Sequence, residues 1–156
     1  ISDGEAQLDK GNAAEARSLF ERAVQLDPEN WYPRGYLTEM FLVSGELELA
    51  YQQLVEMEKI DPDSVVGNYL TAQYWVARKD YERARPYAEK AKFGRPGNSE
   101  LRGLLGNIYR ELGQKEKARE EFQTAVRLAP DRVEFREQLR KSETGDNPAE
   151  KNPARQ

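Results

Sequence analysis

Apolar residues recur along this chain at helical spacing, with charged residues filling the positions between them, and no segment alternates as a half-buried strand would. A fixed step punctuates the pattern. Pro28, Pro62, Pro96 and Pro130 stand 34 residues apart, and Ala16, Ala50, Ala84 and Ala118 keep the same interval. Ala23, Met57, Ala91 and Ala125 follow seven residues after those alanines, and Gly11, Gly45 and Gly113 come five residues before them. Agreement at three separate offsets identifies an internal repeat.

Each recurring position has a physical reason. Alanines on the second helix of a unit let a neighbouring helix approach closely, while the larger Phe20, Leu54 or Phe122 between them fills the space across the hairpin. The glycines fall where one helix ends and the next begins, a place that favours positive φ. The pairs Asp27-Pro28 and Asp61-Pro62 end a helix, because the residue before proline is pushed out of the α region. First helices are therefore expected at about 1–10, 31–44, 65–78 and 99–112, and second helices at about 14–26, 47–60, 81–93 and 115–128.

The repeats run at approximately 1–30, 31–64, 65–98 and 99–132, followed by a capping helix at 133–141 in which Phe135 and Leu139 lie four apart on one face. Residues 1–141 thus form one repeat domain, and the polar tail 142–156, with Asn-Pro-Ala at 147–149 and again at 152–154, reads as flexible. The fold class expected is all-α, an α-α superhelix or solenoid of tandem helix-turn-helix units.

The recurring residues resemble the tetratricopeptide repeat family, as found in bacterial scaffold proteins. Leu105-Gly106, Tyr109, Gly113, Ala118, Phe122, Ala125 and Pro130 match its pattern most fully; Leu37, Phe41, Gly45, Ala50, Leu54, Met57 and Pro62 follow it in the second repeat. The resemblance covers residues 1 to about 141. It implies a protein that holds other proteins.

Departures from the pattern carry their own expectations. The third repeat has Lys79 in place of the turn glycine, Ala88 at the large packing position and Phe93-Gly94-Arg95 before Pro96. Its second helix is expected to end early and to pack less tightly. Trp75 falls on the position of Phe41 and Tyr109 and is expected in the core; Trp31 is expected to pack at the junction after Pro28. The first repeat lacks its opening positions and has Gln7 where an aromatic belongs, which implies that further repeats precede Ile1 in the parent protein.

Composition narrows the function. Charged residues make up 33% and apolar residues 38%, which suits a thin core between stacked helices better than one large spherical core. A net charge of −4 and a pI near 5.1 lend no support to nucleic-acid or anionic-membrane binding. The charge is unevenly placed: residues 1–64 carry 14 acidic and five basic groups, residues 65–132 nine acidic and 14 basic. No run of apolar residues is long enough for a membrane span. The absence of Cys and His removes disulfides, imidazole bases and the usual zinc ligands, and leaves the compartment open between cytoplasm and periplasm.

In the resembling family, first helices line a concave face where extended peptides bind. Taking the second, fifth, ninth and twelfth residue of each repeat gives one helix face. It presents Ile1, Glu5 and Leu8, then Tyr32, Gly35, Glu39 and Leu42, then Val66, Tyr69, Gln73 and Val76, then Glu100, Gly103, Asn107 and Arg110, with Glu134 and Glu137 on the cap. Tyr32, Glu39, Tyr69, Gln73, Val76, Asn107 and Arg110 are the candidate peptide-binding residues, because amides can pair with an extended backbone while apolar side chains rest on tyrosine rings. A basic or apolar segment suits this face better than an acidic one. The chaperone-binding subset of the family grips an acidic carboxy terminus with Lys, Arg and Asn; here that register holds Gly35, Glu39, Leu70, Glu100 and Leu104, so no such binding is expected.

No catalytic residue, metal site or cofactor is expected. Carboxylate pairs such as Glu46 and Glu48 lie on exposed helices that do not drive two pKa values apart, and no phosphate-binding loop is present. The leading reading is a peptide-binding scaffold. The alternatives are a self-assembling module, with the basic third repeat of one copy meeting the acidic first half of another, and a positioning domain of a larger enzyme.

Overall fold

The computed structural model describes residues 2–144; Ile1 and the tail from 145 onward, including both Asn-Pro-Ala segments, lie outside the described residues. Among those residues are nine helices and no strand: α1 (Ser2–Asp9), α2 (Ala13–Leu26), α3 (Trp31–Ser44), α4 (Leu47–Ile60), α5 (Val65–Ala77), α6 (Tyr81–Gly94), α7 (Ser99–Glu111), α8 (Lys115–Leu128) and α9 (Val133–Glu143). The chain divides within α5 into two compact units, Ile1–Tyr74 and Trp75–Gln156.

One device ends every second helix. Asp27, Asp61, Arg95 and Ala129 each precede a proline and take extended backbone, with φ between −148° and −137°. Each still donates its N–H to the carbonyl four residues back, so the last turn closes before the chain leaves. This corrects the expectation for the third repeat. Helix α6 does not end early; it runs the same 14 residues as α2, α4 and α8, because Pro96 rather than the residues before it sets the stop. The side chains of Asn30, Asp80 and Asn98 accept from backbone N–H groups in the first turns of α3, α6 and α7.

In the first unit, α1 packs on α2, α2 on α3 and α3 on α4. Phe20 is fully buried, and its ring lies where a side chain on Gly4 would stand, 2.7 Å from the place of a Cβ. Small opposite large is the packing rule of the hairpin. Tyr36 stacks on Phe20 with centroids 4.7 Å apart, and Leu70 and Met57 meet at Gly35.

In the second unit, α6 packs on α7, α7 on α8 and α8 on α9. Gly106 and Phe122 repeat the first unit's arrangement, the ring 2.6 Å from where a Cβ would be. Phe135 of α9 lies over another glycine of α7, Gly103, its ring 2.5 Å from where a Cβ would be. Burying each of these rings is worth roughly 2–3 kcal/mol. Lys79 takes the left-handed turn conformation that the register assigns to glycine, with φ +59° against +74° to +79° at Gly11, Gly45 and Gly113. Trp75 is not a core residue: it is half-buried, with the Arg83 guanidinium 4.7 Å above its ring, while Tyr74 beside it is buried.

Candidate peptide-binding site

Four of the predicted residues belong to the first unit. Tyr32 is exposed near the start of α3 and meets Tyr36 edge-on at 5.5 Å. The Tyr36 hydroxyl donates to Glu5 Oε1 at 2.7 Å, and the Tyr32 hydroxyl lies 3.5 Å from the same oxygen. That hydrogen bond to a carboxylate, foremost among the causes, holds the Tyr36 pKa well above the ordinary phenol value. Tyr69 and Gln73 stand one turn apart on α5, and the Gln73 amide donates to the Tyr69 hydroxyl at 2.9 Å. Trp31 is half-buried and touches Tyr32 edge-on at 5.4 Å.

Glu39 lines a cleft of about 530 Å³ together with Leu8 of α1, Ala13, Ala14 and Arg17 of α2, Tyr36, Met40, Phe41, Val43 and Ser44 of α3, and Glu46. Glu39 is exposed, yet partial desolvation beside the cleft raises its pKa, and it makes no hydrogen bond or ion pair among the described residues. Glu46 is the opposite case. Hydrogen bonds from Ser44 and then Arg17 hold its pKa low, and the Arg17 guanidinium also covers the Phe41 ring at 4.7 Å. Of the two carboxylates at this cleft, Glu46 is satisfied internally and Glu39 has no side-chain partner among the described residues.

The other three predicted residues belong to the second unit. Val76 is half-buried near the end of α5. Arg110 donates through Nη1 to Gln138 of α9 and through Nη2 to Asn107 Oδ1 at 3.0 Å, and lies over Phe122. Its Nε is buried without a hydrogen bond, 3.9 Å from a Glu111 oxygen. Asn107 and Arg110 thus form a polar tie between α7 and the cap. On the same unit Tyr109 donates to Glu89 at 2.7 Å, and burial first, then that carboxylate, raises its pKa.

Sequence reasoning picked Glu39 from its register but missed the cleft beneath it. Leu8 is on the predicted stripe; Met40 and Val43, which line the cleft with it, are not. Glu5 shares the register of Glu39, Gln73 and Asn107, a signal that was available. Gln138 carried none. Among the described residues no group of three or more acidic side chains could hold a metal ion, and no helix is long and apolar enough to cross a membrane.

The tetratricopeptide repeat pattern matches residues 7–74 and 76–140. The chain belongs to the tetratricopeptide repeat family. Over 82 residues it is 33% identical to the TPR repeat-containing thioredoxin TTL4 of Arabidopsis thaliana, a match that takes in 53% of this chain and only 12% of that protein. Its fold is similar to that of pilF of Pseudomonas aeruginosa, with a TM-score of 0.81 at 19% identity over 93% of this chain and 66% of the other. It is also similar to YrrB, described as a TPR protein with an unusual peptide-binding site, with a TM-score of 0.73 at 24% identity over 81% of this chain and 66% of the other. These likenesses place it in the all-α helical-repeat class. Tetratricopeptide repeats mediate protein–protein interaction, and scaffolds built from them are typically without enzymatic activity.

Proposed function

We propose that this protein is an interaction scaffold that takes an extended segment of a partner protein on the face made by its first helices, within a repeat domain spanning 1–141 and through Tyr32, Glu39, Tyr69, Gln73, Val76, Asn107 and Arg110. The observation that carries this reading is Glu39: a carboxylate without a partner at the border of an apolar cleft. A carboxylate with no internal partner beside apolar surface attracts a cationic or donor group and repels another carboxylate, so it selects for basic or apolar segments and against acidic ones. The Tyr69–Gln73 pair adds a ring and an amide one turn apart, suited to a side chain and a backbone group. The peptide-binding site described for YrrB supports the class of ligand; its details belong to that protein.

Fluorescently labelled peptides of mixed basic and apolar sequence test this. Replacing Glu39, Gln73 and Asn107 together by alanine is expected to weaken binding by about tenfold or more, while acidic carboxy-terminal peptides bind neither form. Unchanged affinity in the triple variant would defeat the reading.

A further inference from the structure

Two exposed apolar side chains depart from the repeat's own register, and they lie in stretches of opposite charge. Val43 on α3 is 90% exposed, where the other repeats hold Asp9, Ala77 and Glu111. Phe93 on the last turn of α6 is 93% exposed, where the other repeats hold Gln25, Lys59 and Arg127. A lone exposed apolar residue is ordinary on a protein surface; the surroundings of these two are not. Val43 lines the cleft with Leu8, Tyr36 and Met40, and Glu39 stands there without an internal partner. Phe93 lies two residues before Arg95, and the exposed Arg95 side chain makes no hydrogen bond or ion pair among the described residues.

We propose that Phe93 of one copy inserts into the cleft of a second copy, with Arg95 of the first meeting Glu39 of the second. The volume of about 530 Å³ admits a benzyl group with room for the adjoining backbone, and falls within the roughly 300–1,000 Å³ typical of ligand cavities. The ring would meet the Met40 thioether and Leu8, contacts that favour an aromatic guest. Charge steers the same pairing, since the cleft lies in the stretch with 14 acidic and five basic groups and Phe93 in the stretch with 14 basic and nine acidic. Different surfaces meet on the two copies, so the contact is heterologous and leaves a free cleft and a free Phe93 at the ends of every open assembly.

The contact shares Glu39 with the peptide face, so a second copy and a peptide compete for the cleft. Sedimentation velocity over a concentration series reaching on the order of 0.5 mM, at low and high salt, tests it. The wild-type chain is expected to associate, more weakly as salt rises. Phe93→Ser and, separately, the double variant Glu39→Arg with Val43→Asp should each weaken association by about tenfold or more. Mixing the two variants should restore a dimer and nothing larger, because each supplies the surface the other lacks; that recovery also shows both are folded. A wild type that stays monomeric throughout, a Phe93→Ser chain that associates normally, or a mixture that fails to dimerise would overturn the proposal. Phe93→Ser leaves the first-helix face intact, so its peptide affinity tests the scaffold reading independently.

Discussion

The α3–α4 hairpin and the α7–α8 hairpin, two repeats apart, solve the same problem with different chemistry. In both, an arginine near the start of the first helix reaches back to the carbonyl of the proline that ends the preceding repeat: Arg34 to Pro28 at 3.3 and 3.4 Å, Arg102 to Pro96 at 2.8 and 3.0 Å. Each also reaches across to the same register position on the second helix. There the first hairpin has neutral Gln53, 3.0 Å from Arg34, and the second has Glu121, 2.9 Å from Arg102 and 2.7 Å from Lys92 of α6. The opposed packing positions differ too, Thr38 with Leu54 against Gly106 with Phe122, all four buried. The backbone path is common property of the repeat; the side chains that hold it can trade size for size and charge for amide, provided that they change together.

The largest effect should come from breaking the size match in one hairpin alone. Gly106→Thr puts a Cβ into the Phe122 ring and is expected to cost about 3 kcal/mol. Adding Phe122→Leu should recover all but about 1 kcal/mol, since it reproduces the Thr38–Leu54 pairing of α3–α4. Urea denaturation of the two single variants and the double measures the coupling, and simple additivity would show that the two hairpins do not share a packing rule.

Next comes the charge. Glu121 is buried, with its side chain 9% exposed, and holds two cations. Glu121→Ala strands Arg102 and Lys92 in partial burial and is expected to lower stability by about 2 kcal/mol. Gln53→Ala removes one neutral acceptor and should lower it by about 1 kcal/mol or less. Equal losses in the same denaturation assay would mean that the charge at this position adds nothing.

The smallest effect sharpens the contrast between turns. Lys79 pays for a left-handed backbone that glycine adopts without strain, so Lys79→Gly should raise stability by about 0.5–1 kcal/mol after the added unfolded-state freedom of glycine is allowed for. A calorimetric scan showing no gain would place the cost elsewhere.

The 34-residue step made the helices legible, because proline, alanine and glycine each act locally on the backbone or on the closeness of two helices. What was not legible depended on neighbours. The early stop expected for α6 rests on Phe93-Gly94-Arg95, yet the restriction imposed by Pro96 on Arg95 decides that helix's end as it does the others. Trp75 occupies a core register but is covered by Arg83 rather than enclosed, which no spacing rule anticipates. Of the candidate site residues, Glu39 has no hydrogen bond or ion pair among the described residues, whereas Arg110 is engaged with Gln138 and Asn107, because the cap helix offers an acceptor that its sequence pattern does not single out.

Site-specific photo-crosslinking bears most directly on the claim that partners are held by the first-helix face. A photoreactive residue would replace Glu39 at the cleft or, as a control, Glu58 on the exposed side of α4, and each form would be irradiated with a bound basic, apolar peptide. Adducts at position 39 and none at 58 are the expected result. Adducts at 58 with none at 39 would contradict the account.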